Sequence, residues 1–266
     1  MLRRLLRALT RPPAPPPAPA APPPAAPKAV VSGWRLADEG LATVVDTDFD
    51  VDFAAGGGLV SPAPGLWTGR VLGEVWCRRL RREVERWEAA RRRGEVRLEP
   101  PNSMHQYGIP LEALGLGELG YALFAGELWA RALRLPGVSG PLHSVTGFVV
   151  RYGHEGDDAL AQHVDDADAT LSLCLDDACQ GSELVMEGLR CGLHLDHPLG
   201  PGEGFTYTHR AGYALLHPGK HRHRVLPIRQ GSRLSLILWA RGPDSRARFE
   251  AEAEAGRCPP WCGARR

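Results

Sequence analysis

At 266 residues with 43% apolar side chains, the chain is long enough for one sizeable core, or for one core with a helical annex. Its 32 basic and 31 acidic residues nearly cancel, to a formal charge of +1, so the balance of charge makes no case for nucleic acid or an acidic membrane surface. No stretch has the length and apolarity of a membrane-spanning helix.

In chain order, residues 1–29 form a tail. The start, "MLRRLLRALTRPP", is Arg-rich and free of acid, and reads either as an organellar transit segment or as a plain basic tail. Its apolar runs are too short for a secretory signal, so a cytoplasmic location is expected, with an organellar one as the alternative. Residues 12–27 are almost only Pro and Ala, which predicts an extended, polyproline-like spacer.

Residues 30–140 read as a helical support region. Val71, Val75, Leu80, Val84 and Trp87 recur at steps of three to five, an amphipathic helix ending at Gly94 with its arginines on the wet face. "GELGYALFAGELWARALRL" reads as one second helix, stopped by Pro136 and Gly137, and "EPPNSMHQYG" between them as a loop.

Across 141–242 the period changes. "SVTGFVVRY" is apolar and β-branched. "DATLSLCL" alternates, with Ala169, Leu171, Leu173 and Leu175 on one face and Thr170, Ser172 and Cys174 on the other. "GSELVME", "GYALLH", "HRHRVLPI" and "SRLSLILWAR" follow as short strands between Gly and Pro, the pattern of an antiparallel sandwich or barrel. Residues 243–266 read as a charged tail without periodicity. Six spread cysteines are too sparse for a disulfide framework and read as thiols in a reducing compartment. Cys258-x3-Cys262 has the form of half a metal knuckle or a redox pair, but no second half of matching spacing is visible.

His163 and Asp165 immediately precede the alternating strand. Residues i and i+2 of an extended chain face one side, so an imidazole and a carboxylate converge there. A third ligand would complete a set of two histidines and one carboxylate, which suits non-haem Fe(II). The candidates lie in "HPGKHRHRVLPIRQGSR": His217, His221 and His223. Arg233 follows His223 by ten residues, an even step, with Pro227 and Gly231 between. A hairpin turning there would set the two side chains on one face of paired strands. A guanidinium beside a metal ligand suits a carboxylate co-substrate.

With these residues in place, the chain resembles the Fe(II)- and 2-oxoglutarate-dependent oxygenases of the prolyl/lysyl hydroxylase type. More narrowly, "PPNSMHQYG", "GFVVRY", "HVDDADATLSLCL", "GSELVM", "HRHRVLPI" and "GSRLSLILWAR" are similar to the group called 2-oxoglutarate and iron-dependent oxygenase domain-containing protein 2. The resemblance implies a mainly β fold with supporting helices, its core a double-stranded β-helix, or jelly roll. It implies Fe(II) held by His163, Asp165 and His223, and 2-oxoglutarate whose distal carboxylate meets Arg233. It also implies O2 as oxidant, L-ascorbate as reductant, and hydroxylation of a C–H bond as 2-oxoglutarate becomes succinate. Tyr152 stands where related hydroxylases often hydrogen-bond 2-oxoglutarate, although an aromatic core residue reads equally well. Ser235 shares the Arg233 face. Asp166 stands where such proteins often carry Asn. Asn102, Ser103 and Tyr107 either shape the substrate entrance or anchor the loop.

A second H-x-D, His194-Leu195-Asp196, leads into a loop and reads as surface polarity, with Cys191 and His197 an incidental metal-tolerant cluster. His217 reads as a polar loop residue, and His221 as a residue that lines the pocket without binding metal. The substrate, a protein residue, a small molecule or a nucleic-acid base, is not legible, and the near-neutral body gives nucleic acid no special support. The rival function is a cupin-like jelly roll that binds metal without catalysis, for which Arg233 has no use.

Overall fold

The structure, a computed structural model, describes residues 34–41 and 58–265. The basic start and the Pro-Ala spacer lie outside the described residues. A short 3-10 turn (Glu39–Leu41) precedes β1 (Trp67–Arg70), α1 (Glu74–Arg92), β2 (Ile109–Pro110), α2 (Gly117–Phe124) and α3 (Glu127–Ala132). The strands β3 (Ser144–Tyr152), β4 (Leu160–His163), β5 (Ala169–Asp176), β6 (Cys179–Gly181), β7 (Leu184–Leu189) and β8 (Gly204–Tyr207) follow. The last elements are β9 (Tyr213–Pro218), β10 (His221–Val225), β11 (Ile228–Gly231), β12 (Arg233–Arg241) and α4 (Ser245–Glu254).

The strands form a six-stranded sheet of order β1-β9-β5-β12-β3-β2, a four-stranded sheet of order β4-β10-β7-β8 and a β11-β6 ribbon. Every ladder is antiparallel. From β3 onward the chain passes back and forth between the large and the small sheet, and that alternation defines the jelly roll.

Period-2 alternation sorts the side chains into two cores. On the large sheet, Val149, Leu171, Leu173, Leu216, Leu234, Leu236 and Leu238 face outward and pack with Leu80, Val84 and Trp87 of α1. The opposite phase of the same strands, Phe148, Val150, Tyr152, Leu215 and Trp239, faces the small sheet's Leu184, Met186 and Val225. Both faces of β5 are therefore covered, and Ala169 through Leu175 are all buried.

Three expectations change. The second helix is two, because Gly126 adopts a φ of 87° and breaks the chain between α2 and α3. The stretch after Gly242 contains α4, which buries none of its residues and so carries no apolar periodicity to read. His223 and Arg233 do not sit on one hairpin: β10 pairs with β4 and β7, while β12 pairs with β3 and β5. The intervening β11 leaves both sheets to pair with β6. The two side chains approach from opposite sheets instead.

Trp87 is fully buried where α1 meets the large sheet. Trp87→Ala is expected to cost about 3–5 kcal/mol of stability. Urea unfolding followed by circular dichroism measures this.

Candidate metal centre

Between the sheets lies a cavity whose wall includes His163, Asp165, His217, His223, Arg233 and Tyr152. His163 at the end of β4 stands directly opposite His223 of β10 in the antiparallel ladder. Asp165 follows β4 and is tied to the β9–β10 turn: its backbone N–H donates to Gly219 O at 2.8 Å, and Lys220 Nζ donates to its carbonyl at 2.8 Å.

One ligand atom from each of His163, Asp165 and His223 fits within 4.8 Å of the others. Both Nε2 atoms point at Asp165 Oδ1, at 3.5 Å from His163 and 3.8 Å from His223. Each ring's other nitrogen is occupied: His163 Nδ1 lies 2.7 Å from Ala161 O, and His223 Nδ1 2.8 Å from His221 O. A carbonyl can only accept, so Nδ1 carries the proton and the Nε2 lone pair is directed inward, as a metal ligand requires. Thr170 Oγ1 donates to Asp165 Oδ2 at 2.6 Å, leaving Oδ1 turned to the histidines.

The three groups are electrostatically coupled, and the two histidines shift in opposite directions. Burial would raise the Asp165 carboxyl, but the charge of His223 and the hydrogen bond from His163 hold it far below the usual range. Burial pulls His223 down, only partly offset by Asp165, and favours its neutral, ligating form. Burial also pulls on His163, where the hydrogen bond and charge of Asp165 more than compensate and leave it raised.

Arg233 is 1% exposed. Its Nε donates to Ser182 Oγ at 2.9 Å, its Nη1 donates to Ser235 Oγ at 2.5 Å, and its Cζ lies 4.3 Å from the centre of the Tyr152 ring. Among the described residues no carboxylate lies within ion-pair distance of it. A buried cation supported only by hydroxyls and a ring keeps its charge unanswered within the protein, and an anion would answer it. Burial pushes Tyr152 up to about 12, so its hydroxyl remains protonated. Ser182 holds its hydroxyl against Arg233 from a left-handed backbone, φ 62°, rare for a residue with a side chain.

Several cavity residues escape a reading of the sequence. His217 is no loop residue. It is buried in β9, with its ring 4.9 Å from that of His223, and burial lowers it to about 3. Its alternation with the inward-facing Leu215 was the available signal. His221 is buried but does not line the cavity, and a register shift in the β10–β7 ladder separates it from His223. His105 and His209 enter from loops. His209 has no partner on either ring nitrogen, and burial, reinforced by the charge of Arg233, holds it well below its ordinary value. Ser103 and Tyr107 do not line the cavity, and Asn102 acts behind His105, whose Nδ1 lies 3.1 Å from Asn102 Oδ1. Asp166 faces out, toward Arg241 at 3.5 Å.

Two imidazoles and a carboxylate at the centre of a jelly roll, with a buried guanidinium in the same chamber, define the class of non-haem iron oxygenase sites. Residues 38–127 match the OGFOD2-like domain family. The chain is 32% identical over 204 residues to the 2-oxoglutarate and iron-dependent oxygenase domain-containing protein CP2 of Arabidopsis thaliana, covering 76% of this chain and 51% of the relative. It is 31% identical over 200 residues to 2-oxoglutarate and iron-dependent oxygenase domain-containing protein 2 of Danio rerio, covering 74% and 52%. It is 28% identical over 199 residues to the multifunctional procollagen lysine hydroxylase and glycosyltransferase LH3 of Homo sapiens, covering 68% and 24%. The chain spans about half the length of the first two relatives. It belongs to the Fe(II)- and 2-oxoglutarate-dependent oxygenase superfamily.

Thr170→Val keeps the side-chain shape and removes the donor to Asp165. Metal affinity is expected to fall about 10–100-fold with the fold retained. Anaerobic Fe(II) titration alongside thermal unfolding reads both.

Proposed function

We propose that the chain is a dioxygenase that hydroxylates a C–H bond, with His163, Asp165 and His223 holding Fe(II) and Arg233 gripping the distal carboxylate of 2-oxoglutarate. The donor set fits the metal: three ligands already gathered, two lone pairs aimed by carbonyl partners, and one carboxylate kept ionised. When bound, iron with 2-oxoglutarate and O2 supplies the oxidising power, releasing succinate and CO2 as one oxygen atom goes to the substrate.

The chain's own residues bind and orient. Thr170 fixes the Asp165 carboxylate, and Ser182 and Ser235 aim the guanidinium. The protonated Tyr152 hydroxyl and the neutral His209 ring stand beside the anion site as further hydrogen-bonding groups. The enclosing apolar residues Leu184, Val225 and Ile237 keep bulk water from the chamber.

The observation that carries this reading is the buried guanidinium without a carboxylate partner, in the same cavity as the three ligands. A jelly roll that only stored metal would have no use for it. The lysine hydroxylase among the relatives supports a protein side chain as the substrate class, with a small molecule as the alternative. L-Ascorbate belongs to the proposal as the reductant that maintains the ferrous state. Among the described residues no helix is long and apolar enough to cross a membrane.

Anaerobically Fe(II)-loaded protein, given 2-oxoglutarate and then O2, is expected to form succinate, more persistently with ascorbate present. His163→Ala and His223→Ala should abolish Fe(II) retention, while His221→Ala keeps it. Equal losses at 221 and 223 would overturn the ligand assignment. Arg233→Ala should weaken 2-oxoglutarate binding roughly 30-fold or more, about 2 kcal/mol, with metal content unchanged. Calorimetric titration of the metal-loaded protein measures it.

A further inference from the structure

Away from the cavity, the fold gathers a second set of ligating side chains that the oxygenase reading leaves unused. We propose that Cys191, His194, Cys258 and Cys262 form a structural zinc site that fastens the C-terminal segment to the loop after β7. One donor atom from each of the four lies within 4.8 Å of the others.

The separations match a tetrahedral ion. Cys191 Sγ lies 3.9 Å from Cys258 Sγ and 3.2 Å from His194 Nδ1, and Cys262 Sγ lies 3.8 Å from the same Nδ1. A zinc ion with Zn–S of about 2.3 Å and Zn–N of about 2.0 Å spaces its donors roughly 3.5–3.8 Å apart. A disulfide would need about 2.05 Å between sulfurs, and all three cysteines are free. Four protein donors, three of them thiols, close the coordination sphere, and such a set selects zinc for structure over an ion with open positions for chemistry.

Two tight turns build the site. His194 N–H donates to Cys191 O at 2.9 Å, and Cys262 N–H donates to Pro259 O at 3.1 Å. Each turn presents a pair of donors on one side, Cys191-x2-His194 from the β7–β8 loop and Cys258-x3-Cys262 from beyond α4. Cys191 and Cys262 are buried. The chain closes so tightly here that a Cβ on Gly263 would collide with Glu203 Oε1, a carboxylate already paired with the buried Arg190. Arg265 Nη1 donates to Cys258 O at 3.0 Å, setting a cation beside a centre whose three thiolates outweigh the charge of one Zn2+. Binding releases the thiol protons and leaves His194 neutral.

The site also answers what holds this part of the chain. Since α4 buries no residue, apolar packing does little. Polar ties add to it: Gly242 N–H, Ser245 and Arg248 meet Asp168 at 2.7, 2.8 and 3.2 Å, Arg248 Nη1 donates to Ser139 Oγ at 2.6 Å, and the Phe249 ring centre is 4.1 Å from Lys220 Nζ.

The test is metal analysis of the full chain, purified without chelator, together with the absorption spectrum after Co(II) substitution. Wild type and His163→Ala should both carry about one zinc per chain, and Cys258→Ser and Cys262→Ser almost none. The Co(II) form of the wild type should show thiolate-to-cobalt charge transfer and intense tetrahedral d–d bands, a readout independent of whether the serine variants fold. Zinc lost from His163→Ala but kept in Cys258→Ser would place the metal in the cavity and overturn the proposal. So would a wild type with neither zinc nor a cobalt–thiolate band, or a disulfide from Cys191 to Cys258 or Cys262 in a non-reducing peptide map.

Discussion

The carboxylate of Asp165 is the point on which the two sheets are joined. Thr170 of the large sheet donates to one oxygen, and both histidines of the small sheet point at the other. Its backbone is clamped from both ends by the β9–β10 turn. A wholly buried negative charge without such partners would be ruinous for the fold. With them, it stays ionised and concentrates field at one place between the sheets. The histidines are positioned by this carboxylate as much as by their strands, and a divalent cation would satisfy all three groups at once.

Arg233 is the counterpart at the other side of the chamber. Its environment is built from hydroxyls and an aromatic face, groups that orient a guanidinium without neutralising it. The protein thus maintains a buried anion and a buried cation in one cavity yet keeps them from pairing with each other. Each remains available for a ligand of opposite charge: a cation would suit the carboxylate and its histidines, and an acid group would suit the guanidinium.

Much of this was legible because strand periodicity is strict. His163 and Asp165 could be placed on one face, Ser235 on the Arg233 face, and the two phases of β5 told apart, from alternation alone. The route from His223 to Arg233 was not, since an even step fits a hairpin and an inter-sheet crossing equally well. Only hydrogen-bond partners distinguish them, and those belong to strands far away in sequence. His105 and His209 come from loops, where no period exists to reveal which way a side chain turns. The cysteines failed for a related reason. The Cys258-x3-Cys262 turn finds its complement in Cys191 and His194, and Cys191 is 67 residues from Cys258, a distance no local spacing rule spans.

His105 has a consequence of another kind. It stands in the loop before β2, buried against Phe148 with ring centres 5.0 Å apart, and it lines the same cavity as His163, Asp165 and His223. The region ahead of β3 therefore furnishes part of the reaction chamber as well as a buttress for the sheet. A jelly roll grafted onto a different leading region would bring its ligands along intact but would meet an altered wall. The wall around the three ligands is thereby assembled from two separate stretches of this one chain, the jelly roll and the segment that leads into it.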